Sequence, residues 1–291
     1  MESSVLCLFT TYNTLIMLKK RCLYLLVGSI NLFIYPQIPV NLPGSVSLAG
    51  TSVSDKTCWS GFHNPAPLAY SNRAYLQARV DSRYNITELS TKSFTLSYPF
   101  EWAVTGFSLS YFGFDSYNEM ICGLTFARDF SGLFSLGLQF NYLSFFNIAQ
   151  DSRHGVFFPQ AGLNLRFTPN LNFGFQTFNP FQSSLKSFTL TKHVPSIYSF
   201  GFANTFSEKL VLRVQTDKEI RSPYKYSMAL EYNPVAGFGC QIGLYDQKML
   251  VPCLGFRVNL NSFIFNFSAE LHPLLGVSTS VAVLFTFSNK P

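Results

Sequence analysis

The sequence predicts an all-β protein: a transmembrane antiparallel barrel of about 14 strands with an N-terminal plug in its lumen. Three observations carry this prediction. Aromatic residues make up 17% of the 291 residues and charged residues only 12%, whereas roughly a quarter of an average soluble domain is charged. Segments of about 8 to 12 residues alternate apolar with small or polar side chains, and short connections alternate with long ones, as in bacterial barrels.

The composition argues against two other classes of protein. The mean hydropathy is +0.17, which is too low for a helical membrane bundle whose spans need about 20 mostly apolar residues each. The formal net charge is +6, but part of it comes from the N-terminal cluster at residues 19–21. We therefore infer no nucleic-acid partner from the charge.

Residues 1–40 are predicted to form an export signal. Lys19, Lys20 and Arg21 make a basic region, and residues 22–35 make the apolar region that follows it in such signals. Met17 is the expected start, because the residues before it place Glu2 on the wrong side of the basic cluster. A retained signal anchor is the alternative.

Residues 41–72 are predicted to form the plug, and residues 73–291 the barrel. The stretch 44–70 is rich in Gly, Ser, Thr and Ala and has no apolar period, so it cannot bury enough apolar surface to fold alone. Its backbone groups need partners, which a barrel wall can supply. Asn64, Pro65 and Ala66 predict a turn, because the residue before a proline is pushed out of the helical region. An ordinary exposed turn would have the same sequence.

The clearest strand covers residues 134–142, where Leu138 and Gln139 are expected to point to opposite faces. A transmembrane helix is excluded there, because the polar and small residues recur at every second position. On this reading Leu138→Arg is costly, whereas Gln139→Arg in a wet lumen is mild. The other predicted strands are 74–80, 90–98, 101–112, 117–128, 161–167, 171–175, 198–202, 210–214, 226–232, 238–244, 254–260, 263–269 and 277–287.

The predicted connections sort into two sets that alternate along the chain. An even strand count with short turns on one side places both chain ends in the periplasm. Short turns are expected at 99–100, 129–132, 168–170, 207–209, 233–235 and 261–262, long outer loops at 81–89, 144–156, 179–195, 217–224 and 270–276, and short outer loops at 113–116 and 246–250.

Four charged residues fall in the inward register of their strands: Arg166, Arg213, Glu231 and Arg257. Water in the lumen could simply solvate them. Alternatively, the arginines hold the plug through its backbone carbonyls and Asp55, because charged donors make strong hydrogen bonds.

No catalytic or metal-binding pattern is present, so neither an enzyme nor a cofactor is expected. The four histidines show no ligand spacing and no GxSxG sequence occurs. Cys58, Cys122, Cys240 and Cys253 form no CxxC pair and are expected to be unpaired thiols.

The order Gly44, Ala49-Gly50, Asp55, Asn64-Pro65-Ala66 and Leu68, between a signal and a first strand, resembles the start of the FadL family of outer-membrane barrels. The resemblance implies fourteen strands, a lumenal hatch with an NPA sequence, and residence in the bacterial outer membrane. It also implies passage of a hydrophobic small molecule that is released sideways into the bilayer lipid beside a kinked strand. Gly106 is the candidate for that kink, because glycine weakens a strand interior.

The same residues also resemble the PorV and PorQ branch, FadL-like barrels that serve the type IX secretion system. This resemblance implies a different function, a scaffold whose loops bind secreted proteins, and a purely structural barrel is a third alternative. An apolar lumen would favour the conduit, and a lumen filled by a plug and polar side chains would favour the scaffold.

Overall fold

A computed structural model describes residues 45–54, 61–148, 152–186 and 191–287. The predicted export signal, the start at Met17, Asp55 and Cys58 lie outside these ranges. The strands are β1 Tyr75–Ser82, β2 Ser90–Pro99, β3 Val104–Phe114, β4 Tyr117–Phe130, β5 Phe134–Asn147, β6 Ser152–Arg166, β7 Leu171–Phe178, β8 Ser184–Lys186, β9 Thr191–His193, β10 Ile197–Ser207, β11 Leu210–Glu219, β12 Tyr224–Val235, β13 Phe238–Asp246, β14 Leu250–Leu260, β15 Phe263–His272 and β16 Gly276–Thr286.

Fourteen of these strands close into an antiparallel barrel, which confirms the predicted fold class. Each barrel strand pairs with the next one along the chain, except that β7 pairs with β10 because β8 and β9 form a separate small hairpin. The barrel closes where β1 pairs with β16, with Tyr75 opposite Thr286. Closure leaves no free sheet edge running the length of the wall.

The connections define two ends of the barrel. The turn end carries the short connections at 100–103, 131–133, 167–170, 208–209, 236–237 and 261–262. The first barrel residue, Tyr75, and the last, Thr286, also lie at this end. The opposite end, which we call the loop end, carries the longer connections, including residues 83–89 and 179–196.

The long outer loop predicted at 144–156 is wrong. Strand β5 continues to Asn147 and β6 begins at Ser152, with a continuous pairing that runs from Phe134 opposite Leu165 to Asn147 opposite Ser152. The polar residues in this stretch indicate a loop by composition, but Ser144, Asn147, Arg153 and His154 each have a cross-strand partner that continues the ladder. This hairpin is therefore longer than most of its neighbours.

The predicted alternation of faces is confirmed in β5. Leu138 is 54% exposed on the outside, whereas Gln139 is only 2% exposed on the inside. The outer surface consequently carries a band of exposed aromatic and aliphatic side chains, such as Phe140 and Phe200. Within the described residues, the helical segments are short 3-10 turns at Val46–Leu48, Ala66–Tyr70 and Thr87–Leu89, and none of them is long and apolar enough to cross a membrane.

Candidate functional site: the plugged lumen

The lumen is occupied by residues 45–54 and 61–70, which we call the plug. Leu48, Val53 and Ala66 are at most 2% exposed, although the plug has little apolar surface of its own. Leu68 packs at the turn end against Val104 and other wall residues. The barrel therefore supplies the buried surroundings that this segment cannot make alone.

The turn predicted at Asn64, Pro65 and Ala66 holds two parts of the plug together and joins them to the wall. The Asn64 side-chain amide donates to the carbonyl of Val53 and to the carbonyl of Leu163 in β6, at 3.2 Å for the latter. Its oxygen accepts from the Ala66 N–H at 3.1 Å, which is the Asx type of turn. Asn64 is fully buried, so one side chain satisfies three backbone groups that have no access to water.

Uncharged polar side chains of the wall make most of the described hydrogen bonds to the plug. The Gln215 side-chain oxygen accepts from the N–H groups of Ser52 and Val53, both at 2.9 Å. Ser135 donates to the Ala66 carbonyl at 3.0 Å. Two further glutamines, Gln241 and Gln160, bond to Ser47 and to the His63 carbonyl. An amide offers a donor and an acceptor without the cost of burying a charge.

Glycines on the inner face let the plug backbone approach the wall closely. A Cβ atom added to Gly137 would lie 2.5 Å from the Ala66 nitrogen, and one added to Gly243 would lie 2.8 Å from the Ala49 nitrogen. The same holds on other strands, where an added Cβ would meet plug atoms at Gly106, Gly162, Gly174, Gly201 and Gly255. The inner surface therefore fits the plug closely on seven of the fourteen barrel strands.

The kink predicted at Gly106 is wrong. Strand β3 pairs without a register shift to β2 on one side and to β4 on the other, with Gly106 opposite Ser97 and Thr125. A Cβ at this position would lie 2.9 Å from Cδ2 of Leu68. Gly106 makes room for a plug side chain, and the ladder on both sides of it is unbroken.

Replacing Gly243 with alanine is expected to weaken the chain only while the plug is present. The new methyl group meets backbone atoms of Ser47 and Ala49, and overpacking of this kind costs about 1–3 kcal/mol. Urea unfolding should show this loss in the full chain and a much smaller one after deletion of residues 45–60. An equal loss of stability in both backgrounds would mean that glycine is needed at position 243 for packing within the barrel wall and not for contact with the plug.

Three of the predicted inward charged residues bond to one another. Arg213 and Arg257 each donate to a different oxygen of Glu231, both at 2.7 Å, and Arg257 also donates to Asn266 at 3.1 Å. This cluster spans β11, β12, β14 and β15. Removing one partner of such a buried pair leaves an uncompensated charge, which costs about 3–5 kcal/mol.

The arginines are predicted to hold the plug through its carbonyls and Asp55. The described bonds of Arg257 go to Glu231 and Asn266. Asp55 lies outside the described residues, so its pairing with the arginines stays a prediction. Arg166 does reach the plug, because its guanidinium carbon lies 4.7 Å from the ring centre of Tyr70. That contact is a cation–π interaction and not a bond to a carbonyl.

Three further buried charged residues are not among the predicted inward charges. Arg79 of β1 pairs with Asp81 two residues on, and Glu119 of β4 accepts from the Tyr117 hydroxyl at 2.6 Å. Asp81 and Arg79 alternate with Val80 and Ala78, so the period-two pattern places both charges on the inner face. That signal was available in the sequence.

A cavity of about 370 Å³ remains above the plug at the loop end, and we call it the vestibule. The plug forms its floor through residues that include Val46 and His63, and charged side chains line its walls: Asp81, Arg83, Asp217, Glu219, Lys225 and Glu270. Burial raises the pKa of Tyr84 on the rim, against the lowering effect of Arg83. The Tyr84 hydroxyl thus stays a neutral donor.

Beside the vestibule, the inner face changes from polar to apolar. In β5 the inward residues Ser135, Gln139 and Asn141 toward the turn end give way to Leu143 and Phe145 toward the loop end. These last two pack with residues of three other strands and one loop in what we call the apolar cluster, formed by Ile121, Leu143, Phe145, Phe158, Phe178 and Val194. The loop-end half of the lumen wall at β4–β7 is thus apolar.

The described residues contain no group of His, Cys, Asp and Glu that could hold a metal ion. Cys122, Cys240 and Cys253 are free thiols. His63 lies in the plug, His154 in β6, His193 in β9 and His272 at the end of β15. The side chains of this site can therefore pack, donate and accept hydrogen bonds, and present charge.

No protein-family model matches the chain, and no curated protein matches it. Solved structures do match. The CymD monoaromatic hydrocarbon channel aligns with a TM-score of 0.63 at 11% identity over 85% of this chain and 98% of that one. The toluene transporter TodX of Pseudomonas putida aligns with a TM-score of 0.63 at 11% identity over 86% of this chain and 98% of that one.

A FadL homologue of Pseudomonas aeruginosa aligns with a TM-score of 0.58 at 12% identity over 86% of this chain and 98% of that one. Identities this low carry no information about substrate, but the alignments cover nearly the whole of each neighbour. The chain therefore has the closed fourteen-stranded barrel fold of the FadL-type outer-membrane channels.

Proposed function

We propose that this protein is a barrel of the bacterial outer membrane that passes hydrophobic small molecules and performs no catalysis. The observation that carries the proposal is the apolar cluster, which lies in the lumen wall of a fold shared with hydrocarbon channels. The exposed apolar band on the outer face supports the membrane location, because only a lipid surrounding makes such a band favourable. Nothing in the site calls for a nucleic-acid partner.

A solute that enters through the vestibule meets two different surfaces. The plug below it is held by amide and hydroxyl groups, so an apolar solute would have to break those bonds without replacing them. The apolar cluster beside it offers only non-directional contacts. Hydrophobic solutes are therefore diverted toward the wall formed by β4–β7.

The place where β6 and β7 separate is our candidate for sideways release, in the role first assigned to Gly106. The pairing of these strands ends with Gln160 opposite Phe178, although β6 continues for eight residues toward the loop end, from Pro159 back to Ser152. Pro159 has no N–H to extend the ladder, and its carbonyl accepts one last bond from Asn179 at 3.1 Å. Phe158 and Phe178 of the apolar cluster flank this point.

Uptake measurements test the proposal. Cells whose outer membrane contains the chain, checked by membrane fractionation, should take up labelled toluene faster than cells without it, while a polar sugar shows no difference. Leu143→Asn places a polar group in the apolar cluster and should remove most of the gain. Leu284→Asn is the matched control, because Leu284 is also buried and inward but packs near Leu68 at the turn end. Equal uptake by all four strains would refute the conduit.

A secretion scaffold like PorV or PorQ is the second candidate, because polar side chains and the plug fill the turn-end half of the lumen. Here the outer loops would be the working surface. This alternative expects secreted proteins to copurify with the chain, no gain in toluene uptake, and no effect of Leu143→Asn on copurification.

A further inference from the structure

The lipid-facing surface carries a groove along β11 that no part of the conduit uses. Its volume is about 350 Å³, which is within the range of ligand-sized pockets, roughly 300–1,000 Å³. The floor is formed by Val214 and Thr216, two small side chains in the outward register of β11. Larger side chains on the neighbouring strands form the two walls of the groove.

The strand register explains why a groove forms here. Thr216 lies opposite Phe200 of β10 and Tyr226 of β12. Val214, one step nearer the turn end, lies opposite Phe202 and Met228 in the same way. Large side chains therefore flank small ones over two successive rows, and the lining is almost entirely apolar. The lining also reaches Leu244 of β13 and Leu250 of β14. An apolar groove of this volume can take part of an acyl chain.

A cation lies at the loop-end mouth of the groove. Lys218 is the next outward residue of β11 after Thr216, and its register neighbours are Tyr198 and Tyr224. Its ammonium group lies 4.8 Å from the ring centre of Tyr224 and donates to the Ser222 carbonyl at 2.7 Å. An ammonium group has three N–H donors, so this placement leaves donors for a ligand.

We propose that this groove binds a phosphate-bearing lipid of the surrounding membrane, with an acyl chain along Val214 and Thr216 and the phosphate at Lys218. The inference rests on the membrane location proposed above. The two tyrosines beside Lys218 suit the same level, since aromatic side chains collect at the membrane–water interface.

Two carboxylates bear on the proposed phosphate position. Asp246, which lines the groove, lies on β13, two strands away from Lys218. The Glu219 carboxylate accepts from the Ser222 hydroxyl at 2.8 Å, so this bond already engages one of its oxygens.

The barrel also offers a matched position without a groove. Lys92 of β2 points outward near the loop end, between Val80 and Tyr111 on the adjacent strands. The next outward residues below it are Phe94 and Leu96, which are bulky where β11 has Thr216 and Val214. Lys92 therefore separates the effect of an interfacial charge from the effect of the groove.

Fluorescence quenching by brominated lipids tests the proposal in the full chain, with Trp59 and Trp102 replaced by phenylalanine and the protein folded into phosphatidylcholine vesicles. One chain then carries Met228→Trp in the groove and another carries Leu138→Trp on β5, two positions whose native side chains are both 54% exposed. Each is titrated with brominated phosphatidylglycerol and, separately, with brominated phosphatidylcholine.

In the Met228→Trp chain, half-quenching should need an about two- to fivefold lower mole fraction of brominated phosphatidylglycerol than of brominated phosphatidylcholine. This is the range expected for one interfacial ion pair. Lys218→Gln should abolish this preference and Lys92→Gln should keep it, while the Leu138→Trp chain shows none. The same preference at both tryptophans, or its persistence in Lys218→Gln, overturns the lipid site. Quenching at Leu138→Trp but not at Met228→Trp also overturns it, because the groove is then covered by protein such as a second copy. Absence of quenching in both chains overturns the membrane location itself.

Discussion

Deleting residues 45–60 is expected to leave a folded barrel whose conductance in planar bilayers is many times that of the full chain. The barrel ladders join residues between Tyr75 and Thr286, and the described part of the deleted segment, residues 45–54, lies outside them. It does fill the lumen, where Ser52 and Val53 bond to Gln215. Without these residues the wall amides face an open aqueous path.

The control for this experiment is the full chain folded in the same way, with strand content and heat-modifiable gel mobility compared between the two. Both should show the same barrel. If the shortened chain inserts normally and its conductance is unchanged, the segment does not block the lumen. The hatch resemblance would then lose its meaning, and the scaffold would become the better functional proposal.

Leu138→Arg is expected to lower the free energy of unfolding by about 2–4 kcal/mol, the cost of a cation at the middle of the lipid face of a barrel. The matched variant is Leu133→Arg in the β4–β5 turn at the turn end. Leu133 is 67% exposed and Leu138 is 54% exposed, so the two changes differ mainly in depth. Near the interface the cost should fall to about 0–1 kcal/mol.

Folding into phospholipid vesicles at several urea concentrations measures both losses. A loss at Leu138 that matches the loss at Leu133 would contradict the transmembrane placement of β5, because depth would then have no effect. Added salt should change neither loss of stability much, because the cost comes from removing the arginine charge from water and not from its interaction with a distant charge.

Strand positions and faces could be predicted from the sequence because each rests on a local period of two. Leu138 and Gln139 illustrate this, since neither assignment needs knowledge of the partner strand. The surroundings of Gln139 could not be predicted in the same way. The expectation that Gln139→Arg is mild assumes water around this side chain, whereas Gln139 is 2% exposed and donates to Asn141 at 2.8 Å. Whether an inward residue meets water or protein depends on a segment far away in the chain.

The plug contacts were beyond sequence reasoning for the same reason. Asn64 was recognised as a turn residue, which is a local property, but its bonds to Val53 and Leu163 join distant segments. Gln215 carries no motif that separates it from other inward glutamines. A glycine within a strand, such as Gly106, indicates either a bend or the close approach of another segment, and only the neighbouring residues decide which.

The inward glycines constrain the order in which the molecule can assemble. A wall shaped to the plug, with Gly137 and Gly243 against its backbone, leaves no clearance for threading the plug through a ring that is already closed. The β1–β16 seam joins the two ends of the barrel sequence, and so long-range a pairing is entropically the most expensive to form. The plug leads directly into β1, so it is tethered beside that seam and must enter while the sheet is still open. The pairing of β1 with β16 then traps the plug in the lumen. A plug that had left the lumen could return only if these two strands separated again.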